Sequence, residues 1–449
     1  MAITKTGVLI DTSTSFNNPT RFEVNGEANK VEVTGLTRNT QYYAKAYVIK
    51  DGSVIEDRSY QGFVTDNNYD YLTIINKNNS NTITLSKNGS PLDITLYYTT
   101  DDGSTWTQWD SANGDLSVSL TPNQTLSFRG TNSTFSTATD SNYSFNSTNY
   151  VDLAGDVTSL LDTSGNVQTL PDYAFSGLFS GMYVVDASNI ILPTMVLSRY
   201  CYSYMFAGCR YLTSTPALPA TTLAIYCYYS MFYRCEQLVT APELPSINLA
   251  NACYQDMFEW CSSLINAPEL PAEILKPNCY NGMFKECTSL INAPELASTS
   301  LALACYRYMF EGCTSLINTQ RILPARELAQ SCYYNMYAGC NRLRTAPEMA
   351  ATVLAQTCCY GMFQGTNIEV SPVLPDARLE PECYRGMFFN CTSLKKIISN
   401  ITTYSNTNNE FLVWVRNVYQ TGDFYNLGRA QFPTGDNGIP TGWTEYNSL

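Results

Sequence analysis

The residues best equipped for chemistry in this chain are its sixteen cysteines, and the residue most often needed to activate them is missing: the sequence has no histidine. Without imidazole there is no Cys-His or Ser-His nucleophile pair, no histidine general base and no histidine zinc ligand. Carboxylate or lysine chemistry would have to stand alone, and no spacing of Asp, Glu and Lys points to it. The expectation is a protein that is not an enzyme and uses no cofactor. Most of the cysteines recur as Cys-x7-Cys, as in Cys201 with Cys209 and Cys383 with Cys391. Zinc-binding pairs leave about two to four residues between ligands, so the spacing speaks against a metal. A ladder of disulfides is the other chemical reading. Against it, Ala174 and Met182 hold the two cysteine positions of the first copy, and Thr366 leaves Cys358 without a partner. The favoured reading makes each cysteine a small buried hydrophobe.

Two further rows carry groups that could recognise a ligand. Glu243, Glu269, Glu295, Arg321 and Glu348 each lie eight residues beyond the second cysteine of their units. On stacked strands such side chains sit about 5 Å apart, where like charges repel modestly in water. The row reads first as a solvated face on the inner, curved surface. Its functional alternative is a contact row for a basic or polyhydroxyl partner. Tyr202, Tyr228, Tyr254, Tyr280, Tyr306, Tyr333 and Tyr384 form a second row directly after the first cysteines. Stacked rings are usually packing; an exposed row would suit sugar binding.

A repeat positions both rows. The pattern Cys-Tyr-x-x-Met-Phe-x-x-Cys, with Tyr337 once in the Phe place, begins at Cys201, Cys227, Cys253, Cys279, Cys305, Cys332 and Cys383. A damaged copy begins at Cys358, and a weaker one holds Ala174, Leu178, Phe179 and Met182. Nine units at steps of 25 to 27 residues define a tandem array. In residues 249–270 the apolar positions Leu249, Cys253, Met257 and Cys261 step by four, with Ala250, Tyr254 and Phe258 beside them. That spacing predicts a helix of about three turns. It must end before Ala267-Pro268-Glu269-Leu270-Pro271, where proline removes donors and fixes φ, so the rest of the unit reads as extended. Neither piece buries its face alone, so the units must stack, and such an array should curve with its extended segments inside.

Variants of the run Met-Phe-Glu-Gly-Cys-Thr-Ser-Leu-Ile-Asn-Ala-Pro-Glu-Leu-Pro occupy residues 205–397. They resemble the BspA-like leucine-rich repeats of bacterial surface proteins, in the branch built on Met-x-x-Met-Phe-x-x-Cys-x-x-Leu units. Long versions with Cys-Tyr in place of the first Met are similar to proteins of gut Bacteroidetes and of their phages, crAss-like phages included. The resemblance covers roughly residues 150 to 449. It implies a leucine-rich-repeat-like α/β solenoid used for adhesion or display, and it brings no catalytic residues.

The flanks read as β modules. Residues 1–65 hold Leu36, Asn39, Thr40, Tyr42, Tyr43 and Tyr47 ahead of a Lys50-Asp51-Gly52 turn. This resembles the second half of a fibronectin type III domain, with Tyr42 at the tyrosine corner. Such a sandwich needs about 100 residues, and the stretch before Leu36 offers only Val8 to Ile10, Phe22 to Val24 and Val31 to Val33 as strands. A second β-sandwich is expected at 66–149, its strands around Tyr71 to Ile75, Ile83 to Leu85, Ile94 to Tyr98, Leu116 to Leu120 and Leu126 to Phe128. The Ser/Thr/Asn-rich stretch 131–149 then leads into the solenoid at 150–397. A C-terminal cap at 398–449 carries Trp414, Gly422, Gly438-Ile439-Pro440 and Gly442-Trp443.

A formal net charge of −13 argues against a sequence-independent grip on nucleic acid or an anionic membrane. No run approaches the ~18–20 apolar residues of a membrane span, and the start MAITKTGVLIDTSTSF has no secretory h-region. The leading expectation is a phage virion component, a fibre or decoration protein that binds host-surface glycan or protein. Residues 1–65 would be completed by a capsid or tail protein or by a second copy of the chain. The alternative is a bacterial cell-surface adhesin whose signal was removed.

Overall fold

The computed structural model describes residues 3–11, 19–25, 41–50, 53–56, 61–64, 69–77, 79–163, 167, 169–192 and 196–449. The chain divides into two compact units, Met1–Asp70 and Tyr71–Leu449. The first is one antiparallel sheet built from β1 (Ile3–Asp11), β2 (Thr20–Asn25), β3 (Gln41–Lys50), β4 (Ser53–Glu56) and β5 (Gln61–Val64). β1 lies between β2 and β3, and β3 pairs with β5 through its first half and with β4 through its second. Tyr47 faces Gly7 across the β1 and β3 ladder, and its ring fills the space a Cβ at Gly7 would need. Its hydroxyl donates to Glu23 on β2, whose carboxylate also takes Lys5 at 2.7 Å. The expected strands around Val8 to Ile10 and Phe22 to Val24 lie within β1 and β2. Val31 to Val33, Leu36, Asn39 and Thr40 lie outside the described residues, as does the side chain of Tyr42.

The second unit opens as two facing sheets. β7 (Asn81–Asn88), β10 (Leu116–Leu120), β12 (Ser136–Ala138) and β13 (Ser141–Ser147) form one, in the order β10-β7-β13-β12. The other runs β15-β14-β6-β11-β8-β9. Its members are β6 (Leu72–Asn76), β8 (Thr95–Thr99), β9 (Thr107–Asp110), β11 (Thr125–Gly130), β14 (Val151–Asp156) and β15 (Val184–Ile191). The stretch 131–149, read from the sequence as a lead-in, contributes β12 and β13. Tyr143 and Phe145 of β13 are fully buried, so this segment is core. No break falls at residue 150: β14 pairs in parallel with β15, and Asp186 of β15 bridges in parallel to Ser214. Phe145 donates its N–H to Leu178 at 2.7 Å and stacks its ring on Phe179, so the sheets close the first end of the repeat array.

From Tyr173 onward the chain advances in parallel passes of about one repeat each, and the predicted helix is not there. The helical elements among the described residues are two short 3-10 turns, Ser111–Asn113 and Val157–Leu160. In its place is a ribbon of turns with a period of four residues. Tyr226, Tyr228, Ser230, Phe232 and Arg234 donate their N–H groups to the next pass, at Asn251, Cys253, Gln255, Met257 and Glu259, over 2.9–3.1 Å. The intervening N–H groups of Cys227, Tyr229, Met231, Tyr233 and Cys235 close back onto carbonyls three residues earlier, at 3.1–3.2 Å. Every fourth residue takes positive φ, as at Tyr226 (57°), Ser230 (50°) and Arg234 (58°). The strict step of four was the sequence clue. An α-helix turns once in about 3.6 residues, so its buried face mixes steps of three and four; a four-residue turn returns each fourth side chain to the same face. Non-glycine residues at positive φ cost about 1 kcal/mol each. The offset is that half the donors bond across passes and leave few buried backbone groups unpaired.

The rest of each pass is extended and touches its neighbours through isolated parallel bridges. Thr240 bridges Asn266, Asn266 bridges Asn292, and Asn292 bridges Asn318. Short β16 (Ile322–Leu323) pairs with β17 (Glu348–Met349), and the series broadens into β18 (Val370–Leu374), β19 (Lys396–Ser399), β20 (Asp423–Asn426) and β21 (Thr444–Tyr446), all parallel. A further copy of the turn pattern, with positive φ at Asn409, Val413 and Asn417, lies where the sequence suggested only a cap. Phe411 stacks there on Tyr384, and Trp414 packs against Phe388 with its ring tilted. Trp414 is fully buried and donates Nε1–H to Gly438 at 2.9 Å. One apolar core runs without interruption from Leu72 to Trp443.

Candidate functional site

The repeat's most regular residues belong to this core. Tyr202, Tyr228, Tyr254, Tyr280, Tyr306, Tyr333 and Tyr384 are each at most 2% exposed. From Tyr202 to Tyr333 the rings stack in sequence with centroids 5.8–6.2 Å apart and planes within 11°. This corrects the exposed-row reading: a ring enclosed by the passes before and after it presents no face to a sugar. The sixteen cysteines are all buried, and none is in a disulfide. Those at the second position donate S–H to the Phe carbonyl of the preceding pass, as Cys235 does to Phe206 at 3.3 Å and Cys261 to Phe232 at 3.1 Å. Burial raises the pKa of the first-position thiols Cys201, Cys253 and Cys305 to about 12. A thiol held neutral in this way is neither a ready nucleophile nor a metal ligand. Among the described residues no group of three His, Cys, Asp or Glu is placed to hold a metal ion.

The charged row does reach solvent: Glu243, Glu269, Glu295, Arg321 and Glu348 are all exposed. It does not form one uniform surface. Glu243 borders a shallow proline-lined hollow with Pro216, Pro219 and Pro242. Arg321 and Glu348 border a groove of about 920 Å³, together with Arg342, Arg344 and the amides of Gln320, Asn341 and Asn367.

The groove opens where the repeat is broken. Asn318 and Thr345 hold equivalent places, five residues past Cys313 and Cys340. Ile322 nevertheless bridges Glu348, so Thr319, Gln320 and Arg321 stand where the next pass has only Ala346 and Pro347. Gln320 fixes this extra residue to the preceding pass: its Oε1 accepts the Leu296 N–H at 2.5 Å and its Nε2 donates to the Ile322 carbonyl at 2.8 Å. All three arginines are exposed. Arg344 pairs with Glu369 at 3.2 Å, and Glu348 accepts the Val373 N–H at 2.9 Å. The guanidinium groups of Arg321 and Arg342 have no hydrogen-bond or ion-pair partner among the described residues. Sequence reasoning placed Arg321 in the acidic row but passed over Arg342 and Arg344. The signal was available, since equivalent places in the preceding pass hold Ser315 and Ile317.

The outward side of the turn ribbon is a second polar surface that the sequence reading did not single out. Tyr173, Tyr200 and Tyr226 stack with centroids 4.9 and 4.6 Å apart. Arg307 lies 4.7 Å from the ring centres of both Tyr308 and Tyr334. Lys285 sits between Glu259, at 3.3 Å, and Glu311, at 3.8 Å. Beside them burial, and then the Glu259 carboxylate, raise the pKa of Asp256 to about 6. These columns change identity from pass to pass, whereas the inward Cys, Tyr, Met and Phe columns scarcely do. No protein family, curated protein or solved structure matches the chain. The molecule is almost entirely β and turn, of at least two units, and the larger holds its variable side chains on the surface of a regular stack. No helix among the described residues is long and apolar enough to cross a membrane.

Proposed function

We propose that this chain is a non-enzymatic binding and display protein, and that residues 150–397 form a leucine-rich-repeat-like solenoid of the BspA-like type. The observation that carries this reading is the split between columns: inward positions repeat with little change, while outward positions vary in charge and aromaticity. Such a stack is a scaffold whose surface can be rewritten without disturbing its packing. The reactive side chains argue the same way. The thiols are buried, and the charged groups lie on open surfaces rather than converging on one reacting atom.

Its resemblance to repeats of gut Bacteroidetes and their phages supports a role on a virion, as a fibre or decoration protein that adheres to a host surface, with residues 1–65 attached to a capsid or tail protein. Mass spectrometry of purified phage particles tests this: the chain should be recovered at a stoichiometry typical of structural proteins. Recovery from the bacterial outer surface and not from particles would favour a cell-surface adhesin.

A further inference from the structure

We propose that the groove bounded by Arg321, Arg342 and Arg344 binds an acidic oligosaccharide, its carboxylate or sulfate groups held by the arginines and its hydroxyls by the side chains of Asn341, Thr319 and Thr345. The inference rests on the binding-and-display reading and assigns it a ligand class and a place. Three observations carry it. The first is charge: in a chain of net charge −13, this groove is lined by three arginines and one glutamate. Arg321 and Arg342 are unpaired among the described residues, and Glu348 already accepts a backbone N–H.

The second observation is local departure from the repeat. Counted from its cysteine, Arg321 falls where Glu243, Glu269, Glu295 and Glu348 fall, but the register with the next pass sets Ile322 against Glu348 and leaves Arg321 in the inserted stretch. Arg342 and Arg344 replace the kinds of residue seen at Ser315 and Ile317. All three changes are at exposed positions, so the core does not require them. The inserted residue that sets Arg321 apart is tied down by Gln320 on the Leu296 backbone, so the site is held and not merely exposed. The third is the lining chemistry. Guanidinium forks match the two oxygens of a carboxylate or sulfate, and the side chains of Asn341, Thr319 and Thr345 offer the donors and acceptors that hydroxyls need. Asn367 is held in place by donating to the Asn341 carbonyl at 2.6 Å. No aromatic ring lines the groove on which a nucleobase could stack.

The test measures binding of the full-length protein by calorimetry at low and at physiological salt. The probes are oligogalacturonate, a chondroitin sulfate oligosaccharide, a neutral malto-oligosaccharide of similar length and a poly-glutamate peptide. The expected result is binding of one or both acidic saccharides, weakened by salt, with no binding of the neutral one. Preference between the first two probes tells carboxylate from sulfate. The variant Arg321→Glu with Arg342→Ser and Arg344→Ile returns each position to a residue the chain itself uses elsewhere. It should weaken that binding at least tenfold with an unchanged melting temperature. Arg342→Ser alone, at least threefold weaker, serves if the triple variant does not fold. Equal binding of poly-glutamate would make the groove a peptide site and overturn the proposal. So would acidic-saccharide binding that the variants leave intact, or no binding of either acidic probe at low salt. In none of these cases is the display role refuted, because recovery of the chain from particles decides that separately.

Discussion

Cys235 illustrates how little room a repeated position leaves for chemistry. Its thiol is enclosed, hydrogen-bonded to the Phe206 carbonyl, and raised in pKa first by the loss of solvent. The same enclosure holds for all sixteen thiols, so none should react with a thiol reagent at pH 8 in the native protein. All sixteen should react in denaturant without reductant; a denatured count near zero would mean that the columns oxidise to disulfides in solution. Asp256 is the opposite case, an ionisable group on the outward ribbon that the fold partly desolvates. Its carboxylate lies over Gly282 of the next pass, whose missing Cβ would fall 2.1 Å from Oδ1. Its pKa stands at about 6 against an ordinary 3.8. The native state therefore binds a proton between about pH 4 and 6 that the unfolded chain does not, and this group's contribution to stability rises as pH falls through 6. Asp256→Asn should stabilise the protein at pH 8 by on the order of 1–2 kcal/mol. Near pH 4 the melting curves of variant and parent should coincide. A constant difference at both pH values would show that Asp256 is not protonated on this schedule.

Each pass contacts essentially only its two neighbours, through ring stacks, N–H bonds from alternate residues and one or two bridges. Stability in such an array is a sum of unit and nearest-neighbour terms. Deleting residues 253–278 joins Ala252 to Cys279 in register and sets Tyr228 against Tyr280. The shortened protein should fold, with native-like circular dichroism and a cooperative melt. Deleting residues 253–265 removes half a pass and places turn positions against extended ones; it should leave an unfolded or aggregated product. The helix expected for these elements failed for a definable reason. Apolar periodicity reports which residues share a face, and a four-residue turn and a helix share nearly the same short-range signature. Only the absence of steps of three separates them, in Leu249, Cys253, Met257 and Cys261. β13 was missed because Tyr143 and Phe145 alternate within a Ser- and Asn-rich stretch, where composition masked a period of two.

At the scale of the whole molecule the stack must be closed at both ends. The facing sheets do this at one end, through Phe145 on Phe179. At the other end Phe411 and Trp414 cover the rings of the last regular pass, Phe432 packs over both, and Glu410 takes up a buried place beside them, where its carboxylate accepts the Asn408 N–H at 2.9 Å. Truncation after Ser399 would uncover Tyr384 and Phe388. The truncated chain is expected to bind a hydrophobic dye and self-associate, seen as a shift to larger species in size-exclusion chromatography. A monodisperse truncated monomer would show that residues 400–449 are not a closing element.

The sequence by itself determined the passes. The spacing of Cys, Tyr, Met and Phe set their length, the prolines set where they are extended, and the missing histidine removed most chemistry. It also marked Glu243, Glu269, Glu295, Arg321 and Glu348 as solvent-facing, and all five are exposed, because no packing demand fixed their identity. Tertiary structure alone decided what those elements are. Whether an N–H closes onto its own turn or crosses to the next pass depends on a partner about 25 residues away, and no local pattern encodes that choice. The groove needed the third dimension for the same reason. Arg321 lies well before Arg342 and Arg344 in the chain, and parallel stacking with one inserted residue brings the three to a single opening.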